Sequence, residues 1–122
     1  MALPSAERTV LHILRSAGLS AFVTPPRDVT VPYVRVARVG GVMENVVTDA
    51  ALIVVSAYAA DPAESEQLCL QARRALWDSR TSFVDGVWVR WWKEAAGPAH
   101  YSDPESKLFR YQFSGQLFMA TN

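Results

Sequence analysis

Apolar and polar residues alternate in several segments of the chain, which indicates strands with one face in a core. In residues 33–39, Val34 and Val36 fall on one side. Residues 108–119 alternate in the same way, and their apolar face carries Phe109, Tyr111, Phe113, Leu117 and Met119. Further strands are predicted over residues 21–23, 46–58 and 87–94.

Two helices are predicted from apolar residues spaced three and four apart. The first is short, begins after Ser5 and ends near Gly18. The second begins after Asp61, which is a good N-cap, and Pro62 suits its first position. Its apolar stripe consists of Leu68, Ala72, Ala75 and Leu76. The order of elements predicts one α+β domain over residues 1–122, with a twisted, mostly antiparallel sheet packed by the second helix.

Two segments rich in glycine, proline and polar residues are predicted to be loops. One covers residues 40–48 after the Gly40–Gly41 pair, and the other covers residues 95–107. Loops held by a rigid sheet commonly carry recognition residues. We therefore expect partner contacts from the polar residues of both loops, which are Glu44, Asn45, His100, Tyr101 and Asp103.

The strand over residues 87–94 is unusually rich in tryptophan. Strict alternation places Trp88 and Trp92 on one face, and Val87, Val89 and Trp91 on the other. One set would pack in the core and the other would be exposed beside Arg90. Exposed aromatics beside arginine are typical of protein interfaces, so Arg90 and Trp91 are candidate interface residues. The same residue types could also stack on single-stranded nucleic acid.

Three arginines lie on predicted strands: Arg35, Arg38 and Arg110. They could form a solvated face, or they could pair across subunits with the carboxylates of Glu44, Asp49 and Asp103. The sequence does not decide between these two arrangements.

The charge balance argues against a global electrostatic role. The chain has 122 residues, with 12 basic and 12 acidic side chains, so no net field attracts nucleic acid or an acidic membrane. A single cysteine cannot form an internal disulfide and fits a reducing compartment. The first residues lack a basic start and an apolar run, so neither a signal peptide nor a membrane span is expected.

A catalytic or metal site is not expected. Cys69, His12 and His100 could in principle form a nucleophile and base. However, Cys69 flanks the apolar stripe of the second helix, where a free cysteine is usually a buried structural residue. Two distant histidines and one cysteine do not have the spacing of metal ligands. Gly40–Gly41 lacks the lysine of a phosphate-binding loop. No cofactor is therefore expected.

Several of these segments together resemble the tail terminator, or tail completion, proteins of long-tailed phages of actinobacteria. The segments are residues 34–41, 47–58 and 110–113, with the pairs Gly97–Pro98 and Asp103–Pro104. The resemblance covers roughly residues 31–119 in the same element order. Each motif alone is a strand with a loop, so it is the set that carries the likeness.

The resemblance implies a structural virion protein that forms a hexameric ring on the last ring of the tail tube. Such a ring stops tube growth, joins the tail to the neck of the head and lets genomic DNA pass without sequence-specific binding. The implied partners are further copies of the chain, the major tail tube protein and a neck protein. The implied locations are the head-proximal end of the tail and, during assembly, the host cytoplasm. The alternatives are a neck or head-completion protein, a non-viral binding module and a small enzyme.

Overall fold

The computed structural model describes residues 3–103, 105 and 107–122, with only the backbone at residues 102 and 103. In chain order its elements are α1 (Ala6–Ser16), β1 (Ala21–Phe22), β2 (Tyr33–Asn45), β3 (Thr48–Ala59), α2 (Pro62–Asp78), β4 (Ser82–Val84), β5 (Val87–Asp103) and β6 (Leu108–Ala120). The strands form one six-stranded sheet in the order β1-β2-β3-β6-β5-β4.

The sheet is antiparallel except where β1 pairs with β2. Helix α2 packs against β3, β6 and β5, while α1 packs against α2 and β2. This arrangement confirms the predicted α+β fold with one main helix and a short N-terminal helix.

The helix starts follow the capping residues that the sequence contains. Ser5 Oγ accepts a hydrogen bond from the backbone N–H of Arg8 at 3.3 Å. Asp61 Oδ1 accepts one from the N–H of Glu64 at 2.8 Å, with Pro62 in the first turn. Because the first N–H groups of a helix have no partner within it, these side chains define where each helix begins.

The core lies between the helices and the sheet. Its largest fully buried side chains include Trp92, Phe113, Leu14, Ile53 and Leu76. The Trp92 and Phe113 rings meet edge to face, with centroids 6.1 Å apart. The indole of Trp92 lies against Gly115, where an added Cβ would be 2.4 Å from its Cζ2 atom. The central strand β6 must therefore have glycine at this position.

The segment predicted as a loop over residues 40–48 is instead mostly strand. β2 continues to Asn45, and only two residues separate it from β3. The pairing register shifts between Arg38 and Gly40 and again between Met43 and Asn45. Gly41 has φ +90°, and an added Cβ would lie 2.1 Å from Ala50 O. The glycines therefore form a β-bulge inside a long hairpin and do not end the strand.

The predicted loop over residues 95–107 is also wrong for most of its length. β5 continues to Asp103 and pairs with β6 as far as Leu108. Register shifts at Glu94/Ala96 and Ala96/Ala99 accommodate Gly97 and Pro98. β4 pairs with β5 only at Val87 to Val89. Proline is tolerated in a strand at such edges and bulges.

The predicted faces of the tryptophan strand are wrong, because β5 has a further bulge near its start. The register shifts between Val89 and Trp91, so Arg90 is the extra residue. Val89 and Trp92 are consequently both buried in the core. Trp91 is instead 47% exposed. A single inserted residue reverses the faces of all residues beyond it.

Candidate assembly surfaces

The hairpin between β2 and β3 exposes an apolar surface at its end. We call residues 39–47 the arm. Its exposed large apolar side chains are Val39, Val42, Met43, Val46 and Val47. Val46 is 80% exposed, and Val42 and Met43 are each more than 60% exposed. Exposed apolar residues grouped in one segment are typical of interaction sites.

The base of the arm is fixed by Arg38. Its guanidinium donates two hydrogen bonds to the carboxylate of Asp49, at 2.7 and 2.9 Å, and Nε donates to Gly40 O at 3.0 Å. The Arg38 backbone N–H donates to the Glu7 carboxylate at 2.9 Å. The bonded Asp49 carboxylate raises the pKa of Arg38. Arg38 and Asp49 therefore pair within one chain.

The turn of the arm is anchored to the rest of the sheet. Asn45 Oδ1 accepts a hydrogen bond from the N–H of Val47 at 3.0 Å. Val47 O accepts one from Arg90 Nη2 and another from the Thr121 N–H, each at 3.3 Å. These bonds fix the turn, so the apolar side chains are presented on a stable support.

A second exposed surface is built around Arg80, between α2 and β5. The Arg80 guanidinium carbon lies 3.5 Å from the ring centroid of Trp77 and 4.4 Å from that of Trp91. Arg80 Nε also donates to Trp77 O at 2.8 Å. Trp77 and Trp91 are 48% and 47% exposed. We call these three residues the tryptophan platform.

A groove of about 330 Å³ adjoins the platform. It is lined by Leu70, Arg73, Arg74, Trp77, Trp92 and Glu94. Arg73 donates two hydrogen bonds to the Glu94 carboxylate, at 2.6 and 2.7 Å, and this raises the pKa of Arg73. The ion pair joins α2 to β5 and fixes one side of the groove.

The far end of the β5–β6 hairpin forms a third cluster. His100 packs near the rings of Phe109 and Tyr111, with centroids 6.2 and 5.4 Å away. The Arg110 guanidinium carbon lies 5.4 Å from the Tyr101 ring centroid, and Tyr101 is 43% exposed. The side chain of Asp103 lies outside the described part of the structure. We call this cluster the distal tip.

The predicted interface residues fall into two groups at opposite ends of the sheet. Thr48 pairs with Ala120 at one end and Ala59 with Phe109 at the other. Arg38, Glu44, Asn45, Asp49, Arg90 and Trp91 belong to the first end or its neighbourhood. His100, Tyr101 and Arg110 belong to the distal tip. Arg35 is exposed on β2, apart from both groups.

Sequence reasoning missed Trp77 and Arg80. Trp77 lies outside the apolar stripe of α2, and a large aromatic residue there was a signal that the helix has a second contact surface. Arg80 follows the helix, and its place between two rings depends on tertiary structure alone. The apolar residues of the arm were also missed, because their segment was taken as a polar loop.

The chain matches a known protein-family model. The family described as phage tail termination protein matches residues 2–110, which is most of the chain. The chain belongs to this family. The matched region includes the arm and the tryptophan platform. No curated protein matches the chain.

Family membership establishes a structural role for this tail termination protein, in completing the phage tail, and places it in the tail of the virion. The family also supports the resemblance noted from the sequence at the level of a tail terminator. In the described part of the chain, no helix has the length and hydropathy of a membrane span.

The groups considered for catalysis are not assembled into a reactive centre in the described residues. Cys69 is fully buried, as expected for a structural cysteine, and desolvation raises the pKa of its thiol to about 12. The thiolate that attacks a substrate is thus disfavoured in this tail termination protein. His12 and His100 are exposed. Within the described ranges no cluster of histidine, cysteine and carboxylate residues could hold a metal ion.

Proposed function

We propose that this protein closes into a hexameric ring on the last ring of the tail tube and so ends tube polymerisation. The observation that carries the proposal is that each subunit has two unlike exposed apolar surfaces. The arm is the outer part of β2 and the turn after it, near one edge of the sheet, and the tryptophan platform lies at β5, near the other. Family membership supports the tail role itself.

Two unlike surfaces favour a ring over a symmetric dimer. A contact between different patches is head to tail, and it repeats until rotation returns the chain of subunits to its start. A symmetric dimer would instead need one self-complementary patch. The ring's hexameric symmetry follows from the family resemblance and not from the subunit alone.

The ends of the sheet are then available for the ring's axial partners, which we propose to be the major tail tube protein and a neck protein. The distal tip carries the directional groups for one such contact, through Tyr101, Arg110 and His100. Genomic DNA passes through the ring without sequence-specific binding, which agrees with the balanced charge. We propose a long-tailed phage of actinobacteria as the source, with assembly in the host cytoplasm at the head-proximal end of the tail.

The test combines native mass measurement with tail assembly. Purified protein, free and mixed with tail tubes, should give the mass of a hexamer or a ring on tube ends in electron micrographs. A phage lacking the protein should make tails of irregular, overlong length that fail to join heads. A monomeric mass at all concentrations, together with no binding to tube ends, would overturn the proposal.

We also propose that the protein acts without catalysis. The buried, protonated Cys69 supports this view. Cys69→Ala should destabilise the fold by about 1–2 kcal/mol and leave tail assembly intact. Loss of assembly by a Cys69→Ser protein of unchanged stability would instead reveal a chemical role of the thiol.

A further inference from the structure

We propose that the arm of one subunit packs on the tryptophan platform and adjoining groove of the next copy, and that this contact closes the ring. The inference rests on the proposed ring and specifies its interface. The partner that occupies the platform is a second copy of this chain.

Both surfaces have the composition of an interface core. The arm presents Val42, Met43 and Val46, which are exposed and stand apart from the buried core. The platform presents Trp77 and Trp91, held apart by Arg80. Tryptophan and arginine are the residues that most often dominate binding energy at protein interfaces. The stacked guanidinium also restrains both rings before binding, which lowers the entropy cost of association.

The charges of the two surfaces are complementary. Glu44 is the only ionisable side chain within the arm and is exposed. On the other side, Arg73 and Arg74 have ion pairs with Glu94 and Asp78. Among described residues, Arg80 and Lys93 have no carboxylate within ion-pair distance. An arm with one carboxylate thus faces a platform whose cation, Arg80, is available, with Lys93 two residues from Trp91 on the same strand. This favours the pairing of arm and platform over arm against arm.

The two sheet edges are poorly suited to the simpler alternative, in which neighbouring sheets join edge to edge. β1 pairs with β2 only at Val34 and Arg35, and β4 pairs with β5 only at Val87 to Val89. Beyond those residues each edge is interrupted by register shifts, and β5 also carries Pro98. Bulges and proline are the features that block strand addition at an edge. Side-chain packing therefore has to supply the contact.

The positions of the two surfaces suit a head-to-tail repeat. β3 and β6 separate β2 from β5, so the two strands lie roughly 14 Å apart across the sheet. Only the turn of the arm reaches toward β5, where Val47 O accepts a hydrogen bond from Arg90 Nη2. Platform residues Trp77 and Arg80 lie at the end of α2 and just after it, against Trp91 of β5. A subunit can therefore use its arm and its platform at the same time with two different neighbours.

The test mixes two variants, each with one damaged surface. Met43→Glu places a charge on the arm, and Trp77→Glu places one on the platform. Val42→Glu and Arg80→Glu are second choices if either protein fails to fold, which circular dichroism would show. Leu3→Glu is the matched control, since Leu3 is 81% exposed but lies outside both surfaces. Native mass spectrometry and sedimentation follow assembly, both free and with tail tubes.

Each surface variant alone should associate about tenfold or more weakly than wild type, and the control should be unchanged. Mixed together, the variants should form a dimer with one copy of each and grow no further, because only one intact arm and one intact platform remain. Rings formed by either variant at wild-type concentration would overturn this interface while leaving the proposed ring in place. A mixture that stays monomeric while wild type assembles would also overturn the interface and leave the proposed ring in place. A wild-type protein that assembles neither free nor on tubes would instead refute the proposed function.

Discussion

At the scale of single residues, Gly41 carries the strictest requirement in the arm. Its φ of +90° is a conformation that side chains other than glycine rarely adopt. The space for a Cβ is taken by the backbone of β3, with Ala50 O at 2.1 Å and Leu52 N at 2.5 Å. Backbone atoms of a central strand cannot move aside without breaking the pairing, so the position tolerates no side chain.

Gly41→Ala should lower the free energy of unfolding by about 2 kcal/mol or more, since left-handed strain and a backbone clash act together. Urea denaturation measures this. Gly97→Ala is the control, because the nearest atoms to its added Cβ are 3.7 Å away and belong to side chains. Equal stabilities for the two variants would show that β2 can shift its bulge.

The second residue-scale prediction concerns the pH dependence of stability through Cys69. Burial raises the pKa of its thiol from 9.0 to about 12. The folded state therefore keeps the proton longer than the unfolded state. The stabilising contribution of the thiol is complete below pH 9 and is lost as the pH rises toward 12.

Above pH 9 the thiol should reduce the free energy of unfolding by at most about 1.4 kcal/mol per pH unit. Denaturation of wild type and Cys69→Ala at several alkaline pH values isolates this contribution, since all other titrating groups are shared. If the free energy of unfolding fell with pH at the same rate in both proteins, the assignment of a buried, protonated thiol would be contradicted.

At the scale of elements, the order of the arm depends on the hydrogen bonds that Arg38 makes at its base. The Arg38 and Asp49 side chains are 33% and 16% exposed, so their two-hydrogen-bond pair is partly shielded from solvent. Arg38→Ala should cost about 1 kcal/mol of stability and raise amide hydrogen exchange in residues 40–48. Arg35→Ala should stay within about 0.5 kcal/mol of wild type, because no hydrogen bond or ion pair joins the Arg35 side chain to the described residues. Unchanged exchange in the Arg38 variant would show that strand pairing alone orders the arm.

Most elements could be predicted from the sequence because their signals are local. Capping by Ser5 and Asp61 and the alternation of β6 depend on neighbouring residues alone. The bulges could not be predicted in the same way. Gly40–Gly41 and Gly97–Pro98 are equally compatible with a loop, and only pairing with a neighbouring strand makes them interruptions inside a strand.

The candidate surfaces likewise include residues that the sequence could predict and residues that depend on tertiary structure. His100, Tyr101 and Arg110 could be expected at a surface from their polarity and position. The assignment of Trp91 to the face of Val89 was wrong because the bulge at Arg90 has no marker in the sequence. The Trp77–Arg80–Trp91 stack joins residues of α2, the following turn and β5, and no sequence spacing encodes that contact.

At the scale of the whole molecule, lateral and axial contacts should be separable. The distal tip lies at the other end of the sheet from the arm, so its side chains could contact a partner above or below the proposed ring. Tyr101→Ala should leave the native mass of the ring unchanged, but tail capping or head joining should weaken. Electron microscopy of tail lengths and of joined heads, beside the mass measurement, checks this. A Tyr101 variant that loses the ring while remaining folded would place the tip in the lateral contact.

The bulged edges have a consequence for the fate of the protein before it reaches a tail. Before assembly, a subunit exposes two strand edges. A regular, uninterrupted strand edge can recruit further copies into fibrils. Here the register shifts on β2 and β5, with Pro98, interrupt the backbone template. Copies should then accumulate without forming amyloid, and growth would be left to the side-chain contacts of the proposed ring, which end when the ring is complete.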